Sequence, residues 1–262
     1  PQEAATDVVP AAPQTSTEVA LQGDRSNLWD EEMEGTEDVR FPKVKVPGSG
    51  GTAWEVPGDD PDDVDHVKEI VGVVVDDYSV DSFYVDEYDG GNEPPDALWI
   101  AGDFVEANER AIQAGILPGV KAKDQPLNKF GTGKNGGKAI SNRWRLFVMR
   151  SGEMIPTQID VPVMSRRNWT DFKQMRIVGR GYRVPEVVVR MALKRETSKG
   201  GVPYAQIVFG VAQVLPEENA AYYLQQREAM RPFTRAVGFE PEDVEIVAEG
   251  SVVEPTSANL DA

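Results

Sequence analysis

Cysteine is absent from this 262-residue chain, and histidine occurs once, at His66. Without thiols there is no disulfide framework, no thiolate metal site and no cysteine nucleophile. With one imidazole, a His-rich metal site or a Ser-His-Asp triad would have to be built on His66. That residue sits among Asp59, Asp60, Asp62, Asp63 and Asp65, where a solvated loop histidine is the expected reading. No apolar run approaches the roughly 18 residues of a membrane span. The first residues lack a basic-then-apolar leader pattern, so a soluble, intracellular protein is expected. There is no twelve-residue calcium loop and no internal repeat.

What the chain does have is an uneven charge distribution. Its formal net charge is −17, yet residues 121–210 hold 18 Lys/Arg against 6 Asp/Glu. The remainder holds 9 against 38, so a window of +12 is set in a chain that is otherwise −29. Eight aromatics are interleaved in the basic window: Phe130, Trp144, Phe147, Trp169, Phe172, Tyr182, Tyr204 and Phe209. Cations to track phosphates and rings for bases to stack on are the composition of a single-strand nucleic-acid groove. The acidic remainder opposes loose sticking, because the long-range field repels a polyanion that the local patch attracts. An acidic tail could also compete for the groove until the true ligand arrives.

Nineteen Pro, 24 Gly and many Val favour short strands and turns, and an apolar fraction of 40% supports a real core. Residues 1–38 read as a disordered acidic segment, with Leu28, Trp29 and Met33 as no more than an anchor. Residues 39–216 read as one domain with an inserted helix and basic loop at about 89–142. Residues 217–262 read as a C-terminal helix (217–231) and a loose acidic tail.

Within the domain, Phe41–Val46 alternates as a strand and Ile70–Val75 reads as a buried strand, with residues 80–88 as its partner. Asp103 is placed as the N-cap of a helix that Gly115 ends, and Ser165 as the N-cap of one running to about Val178, with Gly179 and Gly181 as its stop signals. Strands are expected at Arg143–Arg150 and 155–163. Those near 184–195 and 203–215, around the turn Thr197–Gly201, form the clearest hairpin. A mainly β fold with a few helices, specifically an OB-like β-barrel, accommodates this order, because that fold sets a helix between its third and fourth strands.

The loop Phe130–Ala139 resembles a nucleotide-phosphate loop only superficially. Thr132 stands where the first glycine is needed and Ala139 where the metal-binding hydroxyl belongs. A flexible basic loop touching nucleic-acid backbone is expected instead. A second cluster combines Arg166, Arg167, Lys173, Arg176, Arg180 and Arg183 with Trp169, Phe172 and Tyr182. Helical spacing makes Trp169 and Phe172 anchors and leaves the arginines solvated. Between residues 55 and 109 there are 18 Asp/Glu and one Lys. Of these, Asp76, Asp77, Asp81, Asp86, Glu87 and Asp89 could hold Mg²⁺ or Ca²⁺, though solvated acids are the default.

Three short segments carry a resemblance: Trp54-Glu55-Val56-Pro57-Gly58, Glu69-Ile70-Val71-Gly72-Val73-Val74-Val75 and Pro95-Asp96-Ala97-Leu98. Further on, Pro126, Asn128, Phe130, Gly131, Gly137, Lys138, Ala139, Asn142, Arg143 and Arg145 continue it. Over roughly residues 41–215 the chain resembles a family of bacteriophage and mobile-element proteins. The resemblance implies a phage origin, a bacterial host cytoplasm and a role in handling phage DNA, by similarity to phage single-strand binders. Where such relatives carry cysteines, this chain has Ala122, Gln125 and Ile140. If those cysteines bind zinc, this chain has lost the ligands.

The expected function is therefore non-enzymatic binding of single-stranded DNA, or RNA, in replication or recombination, with no cofactor. Lys134, Lys138, Arg143, Arg145, Arg166, Arg167 and Arg183 are assigned to phosphates, and Trp144, Phe147 and Tyr182 to base stacking. The acidic termini would recruit replication or recombination proteins, and an oligomer is compatible. Two rivals stand beside this reading. One is a structural or interaction protein whose basic patch meets an acidic partner, and the other is a metal-dependent nuclease using the acids at 76–89.

Overall fold

A computed structural model describes residues 40–47, 50–58, 64–86, 94–133, 136–198 and 201–236. The expected N-terminal segment, the acidic tail and Lys134 lie outside them. The chain is mainly β. Its strands are β1 (Lys43–Val44), β2 (Trp54–Pro57), β3 (Val64–Val67), β4 (Glu69–Phe83), β5 (Ala97–Ile100), β6 (Asp103–Ala107), β7 (Ser141–Arg150), β8 (Thr157–Val161), β9 (Val187–Thr197) and β10 (Pro203–Val214). The helices are α1 (Glu109–Gln113), α2 (Val163–Phe172) and α3 (Glu217–Ala236). His66 lies exposed on β3, paired with Glu55 of β2, so it is a strand residue rather than a loop histidine.

β4 is the spine of a mixed sheet. Along one edge it pairs with β7 from Gly72 to Ser82. Its other edge is shared, with β9 taking Glu69–Val73 and β5 taking Val80–Phe83. β8 follows β7, β1 runs parallel to β8, β6 follows β5 and β10 pairs with β9. Among the described residues β1, β6 and β10 end in open edges, so the sheet does not close. The barrel part of the expectation is not met, because the outer edge of β8 goes to β1 and not to β10.

The expected break between two strands at Asp76-Asp77 does not occur, and β4 runs straight through. Two adjacent acids resemble a turn in sequence, but here both are buried and hydrogen-bonded. A register shift between Val74 and Asp76 puts Val75 and Asp76 on the same face. Asp76 accepts hydrogen bonds from Thr234 Oγ1 (2.8 Å), Arg235 Nε (2.9 Å) and Arg235 Nη2 (3.0 Å), which fastens the end of α3. Asp77 points the other way, toward α2.

Helix starts also differ from expectation. Asp103 opens β6, and α1 begins after Asn108, whose side chain accepts from Ala111 N–H and so caps it. α2 starts after Pro162. Ser165 lies inside its first turn, fully buried, and its Oγ accepts from Ile207 N–H at 2.9 Å, docking the helix on β10. A π turn (Lys173–Ile177) and a 3₁₀ turn carry it on to Gly181, whose φ of +87° ends the run as expected.

Three apolar clusters arise from the sheet's two faces and the insertion. α2, Trp169, Phe172, Ile207 and Trp54 cover one face, and α3 packs Tyr223 and Met230 on the other. The insertion between β4 and β7 has its own cluster, which includes Phe83, Trp99, Ile116, Ala122 and Ile140. Ala122 and Ile140, two of the three positions that the resemblance set against cysteines, are thus apolar core. At the third, Gln125 Nε2 donates to Leu117 O (2.7 Å) and Val120 O (3.1 Å).

Gly72 lies where β4 is flanked on both sides. A Cβ there would stand 2.5 Å from Met149 O and 2.7 Å from Val148 Cγ1, so backbone would have to move. Gly72→Ala should cost about 1–3 kcal/mol of stability, measured by urea unfolding. An unchanged midpoint would contradict this packing.

Candidate nucleic-acid interface

Period-two alternation along β7 divides the expected site. Asn142, Trp144, Leu146 and Val148 face α2, while Arg143, Arg145 and Phe147 face the α3 side. Phe147 is 0% exposed, edge-on to Phe41 and stacked with Tyr78. It fills the core and is not a stacking platform. Arg145 is 1% exposed and gives Nε and Nη2 to Asp160 at 2.7 and 3.3 Å. Its charge is spent inside the protein. Arg143 is half-buried on that same face, away from Trp144.

On the α2 side the structure does gather cations. A cleft of about 430 Å³ is lined by Lys121, Lys123, Lys138 and Arg166, with Ser79, Asp81, Asn128, Asn142 and Trp144. Of the ten residues assigned from sequence, Lys138, Arg166 and Trp144 meet here. Arg167 is exposed on the next position of α2 and pairs with Asp171 at 3.4 Å. Tyr182 and Arg183 are exposed in the loop after α2 and do not line this cleft.

The cleft's geometry is fixed from beneath. Buried Asp77 Oδ2 accepts from Trp144 Nε1 (3.0 Å), Trp169 Nε1 (3.2 Å) and Lys173 Nζ (2.5 Å). Lys173 Nζ also sits 5.1 Å from the centre of the Trp144 ring. A cation over one face and a tethered N–H hold that indole in a single orientation. Asp81 accepts from Asn142 Nδ2 at 2.7 Å, and Lys138 Nζ donates to Asn142 Oδ1 at 3.3 Å. Lys138 also lies 5.5 Å over the ring of Phe130, which is 63% exposed.

The basic loop is not slack. Thr132 Oγ1 donates to Leu127 O and Lys129 O, both at 2.7 Å, and accepts from Ala139 N–H at 3.2 Å. Trp99 Nε1 donates to Val120 O (2.9 Å) and Ala122 N–H to Gly102 O (3.1 Å), so Lys121 and Lys123 are carried on a braced wall. Sequence reasoning did not single out Lys121 or Lys123 as site residues, although the Lys-rich composition of 118–142 was the available signal.

Burial raises the Asp81 carboxyl above its ordinary 3.8, against the pull of Asn142, Arg166, Ser79 and Lys138. The Lys138 ammonium is lowered, first by partial burial and then by Arg166. Among the described residues no group of three or more metal-binding side chains assembles. The acids proposed for a nuclease are separated, since Asp76 faces α3 while Asp77 and Asp81 face α2. Glu87 and Asp89 lie outside the described residues. No helix among the described residues is long and apolar enough to cross a membrane. Compared with known proteins, the chain matches no family model, no curated protein and no solved structure.

A carboxyl whose folded value is raised costs stability above that value, and the cost vanishes below its unfolded value. Asp81→Asn keeps an acceptor for Asn142 and removes the buried charge. It should therefore raise the unfolding midpoint at pH 7, with the gain shrinking as pH falls and gone below about 3.8. Thermal scans at the two pH values check this, and a gain that persists in acid would contradict it.

Proposed function

We propose that this chain binds single-stranded nucleic acid, DNA first, without catalysing a reaction. The observation that carries the reading is the convergence of Lys121, Lys123, Lys138 and Arg166 on one cleft beside the Trp144 ring, with Asp81 the one carboxylate in its wall. Lys123, Lys138 and Arg166 can track a phosphate backbone, with Lys121 shared with Asp103 at 3.0 Å, while Trp144 and the exposed Phe130 offer flat surfaces to bases. Asp81 and Lys138 both hold their charges at a cost, and such strained ionisations collect at functional sites. An arriving phosphate would relieve the strain at Lys138.

Topology supports the same location. β4, β7 and β8, then α2, then β9 against β4 and β10 against β9, match the strand order of an OB fold short of its closure. Such folds bind oligonucleotides on the face of their second and third strands and on the loop between the first two. In this chain those are β7–β8 and the insertion before β7. The cleft takes Asn142 and Trp144 from β7 and Lys121, Lys123 and Lys138 from the insertion, and Ser79 and Asp81 of β4 and Arg166 of α2 complete it. The acidic termini would serve replication or recombination partners.

Fluorescence titration with short oligonucleotides at two salt concentrations tests the reading. Lys138→Gln and Arg166→Gln should each flatten the log–log salt dependence by about 0.7. Phe130→Ala and Trp144→Leu should each cost about 1–3 kcal/mol of binding, in variants shown folded by circular dichroism. Arg143→Gln, on the opposite face, should bind as the parent does. No binding at low salt would reject the proposal.

A further inference from the structure

β10 is a twelve-residue strand with no charged side chain, in a chain that is 27% charged. Among the described residues its outer edge has no strand partner. Val208, Val211 and Val214 are exposed along it. Long, uncharged, open edges are rare in stable proteins because their free N–H and C=O groups recruit another strand. α2 covers the edge at Ile207, whose N–H goes to Ser165 Oγ and whose carbonyl accepts from Asn168 Nδ2 (both 2.9 Å), while a register shift between Val211 and Gln213 bends the second half without covering it.

Next to the edge runs a second groove of about 480 Å³, between the continuation of α2 and the second half of β10. Its floor is apolar: Phe172, Phe209, Val211 and Met175, the last 69% exposed. Its rim carries Arg176, Arg180 and Asp171, the last paired with Arg167 at 3.4 Å. On the other face of the sheet the Arg190 guanidinium lies beside Gly210, within 3.8–3.9 Å of where a Cβ would be. Among the described residues Arg176, Arg180 and Arg190 have no carboxylate partner. The surface thus asks for an extended peptide with apolar side chains on one side and acids on the other.

We propose that the chain's own segment Asp243–Glu249 adds to β10 as a further strand. Its sequence, Asp-Val-Glu-Ile-Val-Ala-Glu, alternates with period two except at Val247, which falls in the phase of the acids. Val244, Ile246 and Ala248 would enter the groove over Phe209 and Met175, and Asp243, Glu245 and Glu249 would face Arg190. The reach is adequate. Arg235, near the end of α3, is held by Asp76, four positions along β4 from Gly72, and Gly72 pairs with Val189, which pairs with Val211. With about 3.3 Å per residue and 4.8 Å per strand, the vacant place beside Val211 is on the order of 20 Å away. Residues 237–242 can span roughly that distance when extended.

Amide hydrogen exchange on the full chain, without nucleic acid, tests the proposal independently of the cleft. In Val244→Asp/Ile246→Asp, which changes nothing in the described fold, amides of residues 209–214 should exchange about tenfold faster. Core amides of β4 and β7 should be unaffected. Arg190→Glu should accelerate the same amides, and none of these rates should depend on protein concentration. Unchanged exchange in the tail variant would overturn the proposal. So would protection that is lost on dilution, since a second copy would then be covering the edge.

Discussion

The structure depends on two adjacent carboxylates buried at a β-bulge. Ordinary alternation would place Asp76 and Val75 on opposite faces of β4, but the register shift after Val74 puts them together. Asp76 then meets α3 while Asp77 meets α2. Stripping water from two ions so close together is costly, and it is offset only where the lone pairs find charge-assisted donors. Asp76 has Thr234 and both Arg235 contacts, and Asp77 has two indoles and an ammonium. The end of α3 is tied further by the Tyr78 hydroxyl donating to Thr234 O at 2.6 Å. Burial pushes that phenol up to about 12, so it stays a donor throughout the physiological range. One strand therefore holds a helix on each side of the sheet through polar contacts laid over apolar ones.

The same anchor organises the cleft. Asp77 accepts from Trp169, which is core, and from Trp144, which is wall, so the core fixes the angle at which Trp144 meets solvent. A ligand stacking there finds a ring already oriented, and the entropy of ordering it has been spent in folding. Asp81, two positions along the same face of β4, extends this logic with opposite sign. It orients Asn142, which in turn receives Lys138. A single buried acid thus aligns the polar wall while lowering the site's positive potential by one charge.

Where local chemistry dominated, the sequence was readable. The Val-rich strands flanking Thr197–Gly201, the stop at Gly181 and the burial of Trp169 and Phe172 all came from residue type and spacing. Where a distant partner decided, it was not. Asp76-Asp77 resembles a turn until Thr234 and Arg235, more than 150 positions away, supply donors. Asp103 and Asn108 are both able caps, and strand pairing with β5 claims the first. Ser165 has the chemistry of a cap but serves Ile207. The grouping of Arg143, Trp144, Arg145 and Phe147 into one site failed for a reason visible in the sequence. Neighbours on a strand point to opposite faces, so the two sets could never share a ligand.

α2 and its continuation place cations of the basic window on two separate surfaces, Arg166 in the cleft and Arg176 and Arg180 on the β10 groove. Seven residues is nearly two turns of an α-helix, so Arg166 and Lys173 share a face, toward Trp144 and Asp77. The π turn at Lys173–Ile177 then inserts an extra residue and shifts the phase of the helical continuation. Met175, Arg176 and Arg180 consequently line the β10 groove. The cleft pairs its cations with aromatic faces and amides, which suits phosphates and bases. The groove pairs its cations with an open strand edge and aliphatic side chains, which suits an acidic peptide. A polyanion without apolar groups gains little from the second surface, and a β-forming peptide gains little from the first. If both proposals hold, one basic segment serves two acidic ligands that do not compete for the same charges.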